Sequence, residues 1–244
     1  MKRKNLSRAI HGVLAMSMLA SAGTVMAQEA ATPAADGPKT STLESIKVTA
    51  RKREETLQDV PVAVTAFTSD SLDKLNVEDL SDLDAQVPNL TIYAARGSSS
   101  TLTAYIRGVG QSDPLWGVDP GVGIYMDDVY IARPQGALLD VFDVDRIEVL
   151  RGPQGTLYGK NTIGGAIKYI SKPLAAEFNG YGAVTLGNYG QRDLKAAVGG
   201  GFGGSEYLRG RISVADLHRD GFGENLVTGA QVSDKKIRAI RANL

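Results

Sequence analysis

No cysteine occurs in the 244 residues, which excludes a disulfide framework and any cysteine-based zinc site. Neither sign of charge dominates, since 27 Lys and Arg balance 27 Asp and Glu; no basic stripe points to nucleic acid. Histidine is almost missing. Only His11 and His218 occur, and His11 lies in a segment that reads as removable, so no Ser–His–Asp set, Cys–His pair or His-based metal cluster can be assembled. Long apolar runs are also wanting. The longest apolar core, residues 12–22, is too short to span a bilayer as a helix.

That core follows Lys2, Arg3, Lys4 and Arg8 and precedes a run of small residues, the three-part pattern of a Sec-type signal peptide cleaved after Ala27. Cleavage there takes four basic residues and no acidic one, leaving an exported chain with a net charge of −4. Residues 28–42 are Ala, Pro, Thr and Gly with hardly a bulky side chain. They cannot bury enough surface to offset their ordering entropy and are expected to form a tether.

Next along the chain comes the short alternating segment Ile46, Lys47, Val48, Thr49, Ala50 within "LESIKVTARKREE", residues 43–55. The pattern fits the first strand of the next domain, and equally a strand that pairs with the sheet edge of another protein. From Leu57 to Pro173 the chain reads as a small α+β unit. Val60, Val62, Val64 and Ala66 alternate as a strand. Ser69 or Asp70 can cap a helix carrying Leu72 and Leu75, and Asn76 opens a second one carrying Val77, Leu80, Leu83 and Val87, stopped by Pro88. Further strands are expected over 90–94, 102–107, 123–132 with a turn at Asp127–Asp128, 146–150 and 165–171. Two loops are long and rich in Gly and Ser, "ARGSSST" (95–101) and "GVGQSDPLWGVDPG" (108–121).

Beyond Pro173 the texture changes to segments of about ten residues with period-two alternation between Gly-rich turns. In one of them Leu208, Ile212 and Val214 face one way and Arg209, Arg211 and Ser213 the other. Strands of an outer-membrane barrel alternate in this manner, apolar toward lipid and polar toward the lumen. Residues 174–244 hold about four such strands, too few to close a barrel, so the chain is expected to be the truncated front part of a longer protein.

The motif with most glycine is "RIEVLRGPQGTLYGKNTIGG", residues 146–165. A phosphate-binding P-loop ending at Gly159-Lys160 would need Gly at 154 and Ser or Thr at 161; Gln154 and Asn161 stand there. Gly121 and Gly123 do not open a helix, which disfavours a dinucleotide fold. Asp140, Asp143 and Asp145 have the wrong spacing for an EF-hand and are expected to solvate the start of a strand. The glycines then call for a packing explanation, a compact body lying flush against a surrounding wall.

Together "LESIKVTARKREE", "TAYIRGVG", "GVGIYMDDVYIAR" and "RIEVLRGPQGTLYGKNTIGGAIKYISKP" closely resemble the blocks of TonB-dependent outer-membrane receptors. The resemblance implies a signal peptide (1–27), a linker (28–42), a TonB-box region (43–56), an α+β plug domain (57–173) and the first antiparallel strands of an incomplete transmembrane β-barrel (174–244). It implies active import across the outer membrane of a scarce nutrient such as a ferric siderophore, driven by TonB with its ExbB-ExbD complex. No enzyme activity, cofactor or metal site is implied. Ile46, Lys47, Val48, Thr49 and Ala50 would contact TonB. Arg96, Gly97, Ser98, Ser99 and Ser100, with Gln111, Ser112, Asp113 and Trp116, would face the substrate, and Arg107 and Arg151 would pair with barrel glutamates. A stand-alone periplasmic binding or scaffold module built on the plug is the alternative. Two residues depart from the family pattern, Lys47 where an apolar residue is commoner and Asp128 in place of a turn glycine. No room is left for a signalling domain between cleavage and Leu43.

Overall fold

The computed structural model describes residues 46–95, 98, 100–112, 117–204 and 207–244. The expected signal peptide and linker, and loop residues Arg96, Gly97, Ser99, Asp113 and Trp116, lie outside the described residues. Strands β1 (Lys47–Val48) and β2 (Glu55–Thr56) make a small antiparallel ribbon. Behind it stands a five-stranded sheet of β3 (Ala63–Thr68), β7 (Val122–Met126), β8 (Val129–Tyr130), β9 (Val144–Arg151) and β10 (Gly165–Ser171), in the order β3-β9-β10-β7-β8. Only β10 and β7 run parallel. Between β3 and β7 the chain builds a three-stranded sheet from β4 (Leu90–Ala94), β5 (Leu102–Ile106) and β6 (Val109–Gly110).

Alternation along the central strands gives the sheet two covered faces. Ile147 and Val149 of β9, Ile167 and Tyr169 of β10, and Val122 and Ile124 of β7 meet Leu72, Leu80, Leu83, Ile92 and Ile106 in the main core. The opposite face brings Leu150, Ala166 and Tyr125 against Val48, Ala50, Val60 and Tyr158. Glu148 and Lys168 are directly opposite each other in register on this second face, so the β1–β2 ribbon covers them.

The helices differ from the sequence expectation at their caps. Thr68, not Ser69 or Asp70, caps Ser69–Lys74, its hydroxyl accepting from the Ser71 amide at 3.3 Å. Asn76 opens no helix; at φ 53° it is the left-handed residue that ends the first one. The second is a 3₁₀ turn, Leu80–Ala85, held by a capping box between Asp79 and Asp82. The glycines also differ. A side chain at Gly164 would meet the Val109 carbonyl at 2.6 Å, and one at Gly165 would overlap the Leu150 carbonyl. At these two positions the crowding comes from the plug's own strands, whereas Gly155 and Gly159 have open space beside them.

After β10 come β11 (Asn179–Leu186), β12 (Arg192–Gly201) and β13 (Arg209–Arg219), then a small hairpin of β14 (Gly223–Glu224) and β15 (Gln231–Val232), and β16 (Lys235–Asn243). Long strands pair antiparallel in the order β11-β12-β13-β16 and do not close. Val184, Leu186, Leu194, Val198, Ile212, Val214 and Ile240 form an exposed apolar outer face. Tyr181, Lys195, Arg211, Ser213 and Arg241 alternate with them on the inner face, as expected. On the outer face β12 is apolar up to Arg192, whose row includes His218, whereas β13 and β16 turn charged one row sooner, at the Asp216–Arg238 pair. Among the described residues no helix is long and apolar enough to cross a membrane, which says nothing about strands.

Candidate functional site

Segment 46–50 lies on the plug as part of its own ribbon, the local one of the two pairings the sequence allowed. Val48 is 0% exposed and Ala50 1%, and covering a valine of this kind is worth about 1.5–3 kcal/mol. Between them Thr49 is the hub of a polar seat. Its amide donates to Glu148 Oε1 at 2.7 Å. Lys168 Nζ donates to the Thr49 carbonyl at 3.0 Å and to its hydroxyl oxygen at 2.9 Å. Arg146 reaches that hydroxyl at 3.2 Å, and the Tyr158 hydroxyl donates to the Ala50 carbonyl at 2.8 Å. Burial first, then the charges of Asp128 and Glu148, push the Tyr158 phenol far above its ordinary range, so it stays a donor. Glu148 pairs with Arg146 at 2.8 Å and Lys168 with Asp128 at 3.0 Å. Glu148 Oε2 is buried without a hydrogen-bond partner. Lys47 faces outward and makes an exposed 3.5 Å pair with Glu54, worth little.

The Asp127–Asp128 turn has positive φ at both residues (48° and 65°), as a two-residue hairpin turn of the I′ kind requires. Both carboxylates have partners, although Asp128 also faces solvent. Asp127 accepts from the Ser171 amide at 2.8 Å and from its hydroxyl, and Asp128 holds Lys168. Asp128 thus does with charge what a turn glycine could not.

A second polar centre joins plug and sheet. The Arg211 guanidinium grips Asp143 bidentately, Nε to Oδ2 at 2.7 Å and Nη2 to Oδ1 at 2.6 Å, with both side chains almost fully buried. Ser213 donates to the same carboxylate. The Asp143 amide donates to the Tyr181 hydroxyl at 3.0 Å, and Arg241 donates to the Phe142 and Asp143 carbonyls at 2.9 and 2.6 Å. Burial pushes the Asp143 carboxyl up, but Arg211 and Ser213 outweigh it and hold the group below its ordinary value. Nearby Lys235 bridges Glu78 and Asp140, both at 3.3 Å, and Lys195 donates to the Val141 carbonyl at 2.8 Å. Asp140 shifts the other way, raised chiefly by burial.

Acids on the plug and cations on the sheet therefore make these contacts; the glutamates expected to pair with Arg107 and Arg151 would lie beyond Leu244. Among the described residues neither arginine meets an acid. Arg107 lies beside Gly152 with φ 53°, and Arg151 Nε is buried without a hydrogen-bond partner. Asp143 does not solvate the start of a strand; it is the buried centre of the contact. The signal that could have found it was in plain view: an acid-rich strand start, and arginines on the polar face of a later strand.

The expected substrate-facing loops are seen in part. Ser98 accepts from the Thr101 hydroxyl at 2.8 Å inside the loop, and the Ser100 carbonyl accepts from the Gly136 and Leu138 amides, which fastens the loop to the following segment. Gln111 borders a cavity of about 20 Å³ with Leu102, Val118 and Pro120, room for about one water. Its side chain accepts from the Ser112 amide at 3.0 Å. No group of His, Asp or Glu among the described residues could hold a metal.

Comparison with known proteins places this arrangement in a class. Residues 56–166 match the TonB-dependent Receptor Plug Domain. The iron-regulated outer membrane virulence protein of Vibrio cholerae is 30% identical over 154 residues, 58% of this chain and 22% of that protein. The vitamin B12 transporter BtuB of Vibrio vulnificus is 26% identical over 132 residues, covering 54% of this chain and 21% of the transporter. Among solved structures, the ferric yersiniabactin uptake receptor FyuA from Yersinia pestis superposes with a TM-score of 0.62 at 28% identity, over 71% of this chain and 26% of FyuA. FpvA of Pseudomonas aeruginosa shares the fold, at a TM-score of 0.59 and 23% identity. Residues 56–166 thus match a receptor plug, antiparallel strands that do not close follow it, and the chain is similar to outer-membrane receptors. It spans about a quarter of the length of the relatives it matches.

Proposed function

We propose that this chain supplies the plug and leading wall strands of an active outer-membrane transporter, which takes up a scarce nutrient such as a ferric chelate with energy transmitted by TonB. The plug's fixed hold on the inner face of a sheet whose outer face is apolar carries this reading: Asp143 and Arg211 join the two, while Val184, Leu186, Ile212 and Ile240 face away. A sheet apolar outside and polar inside suits a wall between lipid and a filled lumen. Ile46, Lys47, Val48, Thr49 and Ala50 form the coupling strand for TonB. Arg96, Gly97, Ser98, Ser99, Ser100, Gln111, Ser112, Asp113 and Trp116 belong to loops that meet the nutrient. Iron uptake is favoured because the similar proteins include an iron-regulated outer membrane virulence protein and a ferric yersiniabactin uptake receptor.

The test is uptake of labelled ferric chelates by cells carrying a receptor with this plug, with and without TonB. Uptake should require TonB and fall to background when residues 46–50 are deleted. TonB-independent accumulation would overturn the reading. A detergent-free, monomeric and stable chain would favour the periplasmic scaffold module instead, since the outer face should otherwise aggregate.

A further inference from the structure

We propose that Glu148 and Lys168 mask the pairing edge of the coupling segment at Thr49, and that Asp128 is the handle through which the mask is held. The inference deepens the proposed function and rests on it only for the identity of the partner strand.

A strand edge offers amides and carbonyls to an incoming strand, which must answer each with its opposite. One edge of β1 is spent on β2: Val48 stands opposite Glu55, and the Ile46 carbonyl accepts from the Leu57 amide at 2.9 Å. The Thr49 amide takes no part in that pairing. It donates to the Glu148 carboxylate, while the Thr49 carbonyl, which also closes a turn with the Lys52 amide, accepts from Lys168. An acceptor for the amide and a donor for the carbonyl are the two groups a partner strand would bring. Side chains from the middle of the plug sheet occupy their places. Beside β1 an open groove of about 820 Å³, bordered by Ile46, Lys47, Ser69, Asp145 and Arg146, leaves room for an extended segment once the mask is off.

The mask is tied to a distant turn. A lysine ammonium has three protons to donate. Here they are matched by the Thr49 carbonyl, the Thr49 hydroxyl and Asp128 Oδ1, all within 3.0 Å. Asp128 is more than half exposed, and its ion pair is with Lys168 rather than with residues 46–50. It sits in the turn after β7, the strand that leaves the 108–121 loop. Any displacement of that turn changes the hold on Thr49 through one shared ammonium. Glu148 and Lys168 are 0% and 1% exposed, so water does not compete for the positions meanwhile.

The absence of cysteine makes the test direct. In the full chain, held in detergent, Val48→Cys reports opening of the segment by its rate of maleimide labelling, and Val149→Cys reports opening of the sheet core. Asp128→Asn, which keeps a residue that tolerates positive φ, should speed labelling at 48 about fivefold or more; Lys168→Met should exceed tenfold. Cysteine at 149 should stay protected in both. Rates at 48 within twofold of the parent overturn the proposal. So does parallel acceleration at both cysteines, because the charges would then hold the sheet and not the segment. Added TonB periplasmic domain should slow labelling at 48 more in Asp128→Asn than in the parent. If labelling accelerates as stated but TonB changes nothing, the mask stands and the TonB reading of segment 46–50 falls.

Discussion

Two buried charge clusters, each built around one residue, serve opposite ends. At Asp143 both carboxylate oxygens are gripped by one planar guanidinium and a hydroxyl, and the partners sit on a different sheet. At Thr49 the hub is mostly backbone, the partners are long side chains from the plug's own sheet, and Glu148 Oε2 has no hydrogen-bond partner. Rigid forked geometry resists rearrangement, whereas an ammonium shared among three acceptors can be redistributed by moving any one of them. The first cluster suits a permanent joint and the second a releasable one.

The sharpest way to break the comparison is Arg211→Ala. It strands the Asp143 carboxylate in a buried site and should cost about 3–5 kcal/mol, read as a lower urea midpoint and as faster proteolysis between plug and sheet. Gly165→Ala tests the sheet both clusters lean on. Its new methyl collides with the Leu150 carbonyl, and a loss of about 1–3 kcal/mol is expected in the same denaturation assay. Tyr158→Phe removes the donor to the Ala50 carbonyl, with its longer 3.4 Å reach to the Thr49 carbonyl, and should cost about 1 kcal/mol while leaving the Asp143 joint protected in hydrogen exchange.

Acid separates the two carboxylates of the joint by sign. The Asp143 value is depressed on folding, so its contribution is fully present above the ordinary value of about 3.9 and is lost as pH falls through the lower folded value. Asp140 is raised, so its protonation on the way down from neutral pH favours the folded chain. Measured by denaturant midpoint, the parent should gain on Asp140→Asn toward about pH 4 and lose ground to Asp143→Asn only below it. The smallest effect belongs to Arg238→Ala. Its 3.0 Å pair with Asp216 is exposed on both sides, and less than about 1 kcal/mol should be lost.

Much of the plug could be read from residue order alone, and the two clusters could not. Period-two alternation correctly set Ile212 and Val214 on one face and Arg211 and Ser213 on the other, because it is a local property of extended backbone. Glu148 and Lys168 lie within the strands expected over 146–150 and 165–171, but nothing local showed that a ribbon from residues 47–56 would cover them. Arg211 and Asp143 are 68 residues apart, and no local rule gives the register between such segments. Helix caps failed for a nearer reason. Thr68, Ser69 and Asp70 are all competent caps, and Asn76 can serve as a cap or as a left-handed stop; only packing of Leu72 and Val77 chooses between them.

The outer face of the four long strands carries one more consequence. Its frontier between apolar and charged side chains steps by one row from β12 to β13, so it does not run square to the strands. A membrane surface is flat over such distances. As the wall strands proposed above, they would meet it along that frontier only by leaning away from the membrane normal, a lean set by where Arg192 and Asp216 stand.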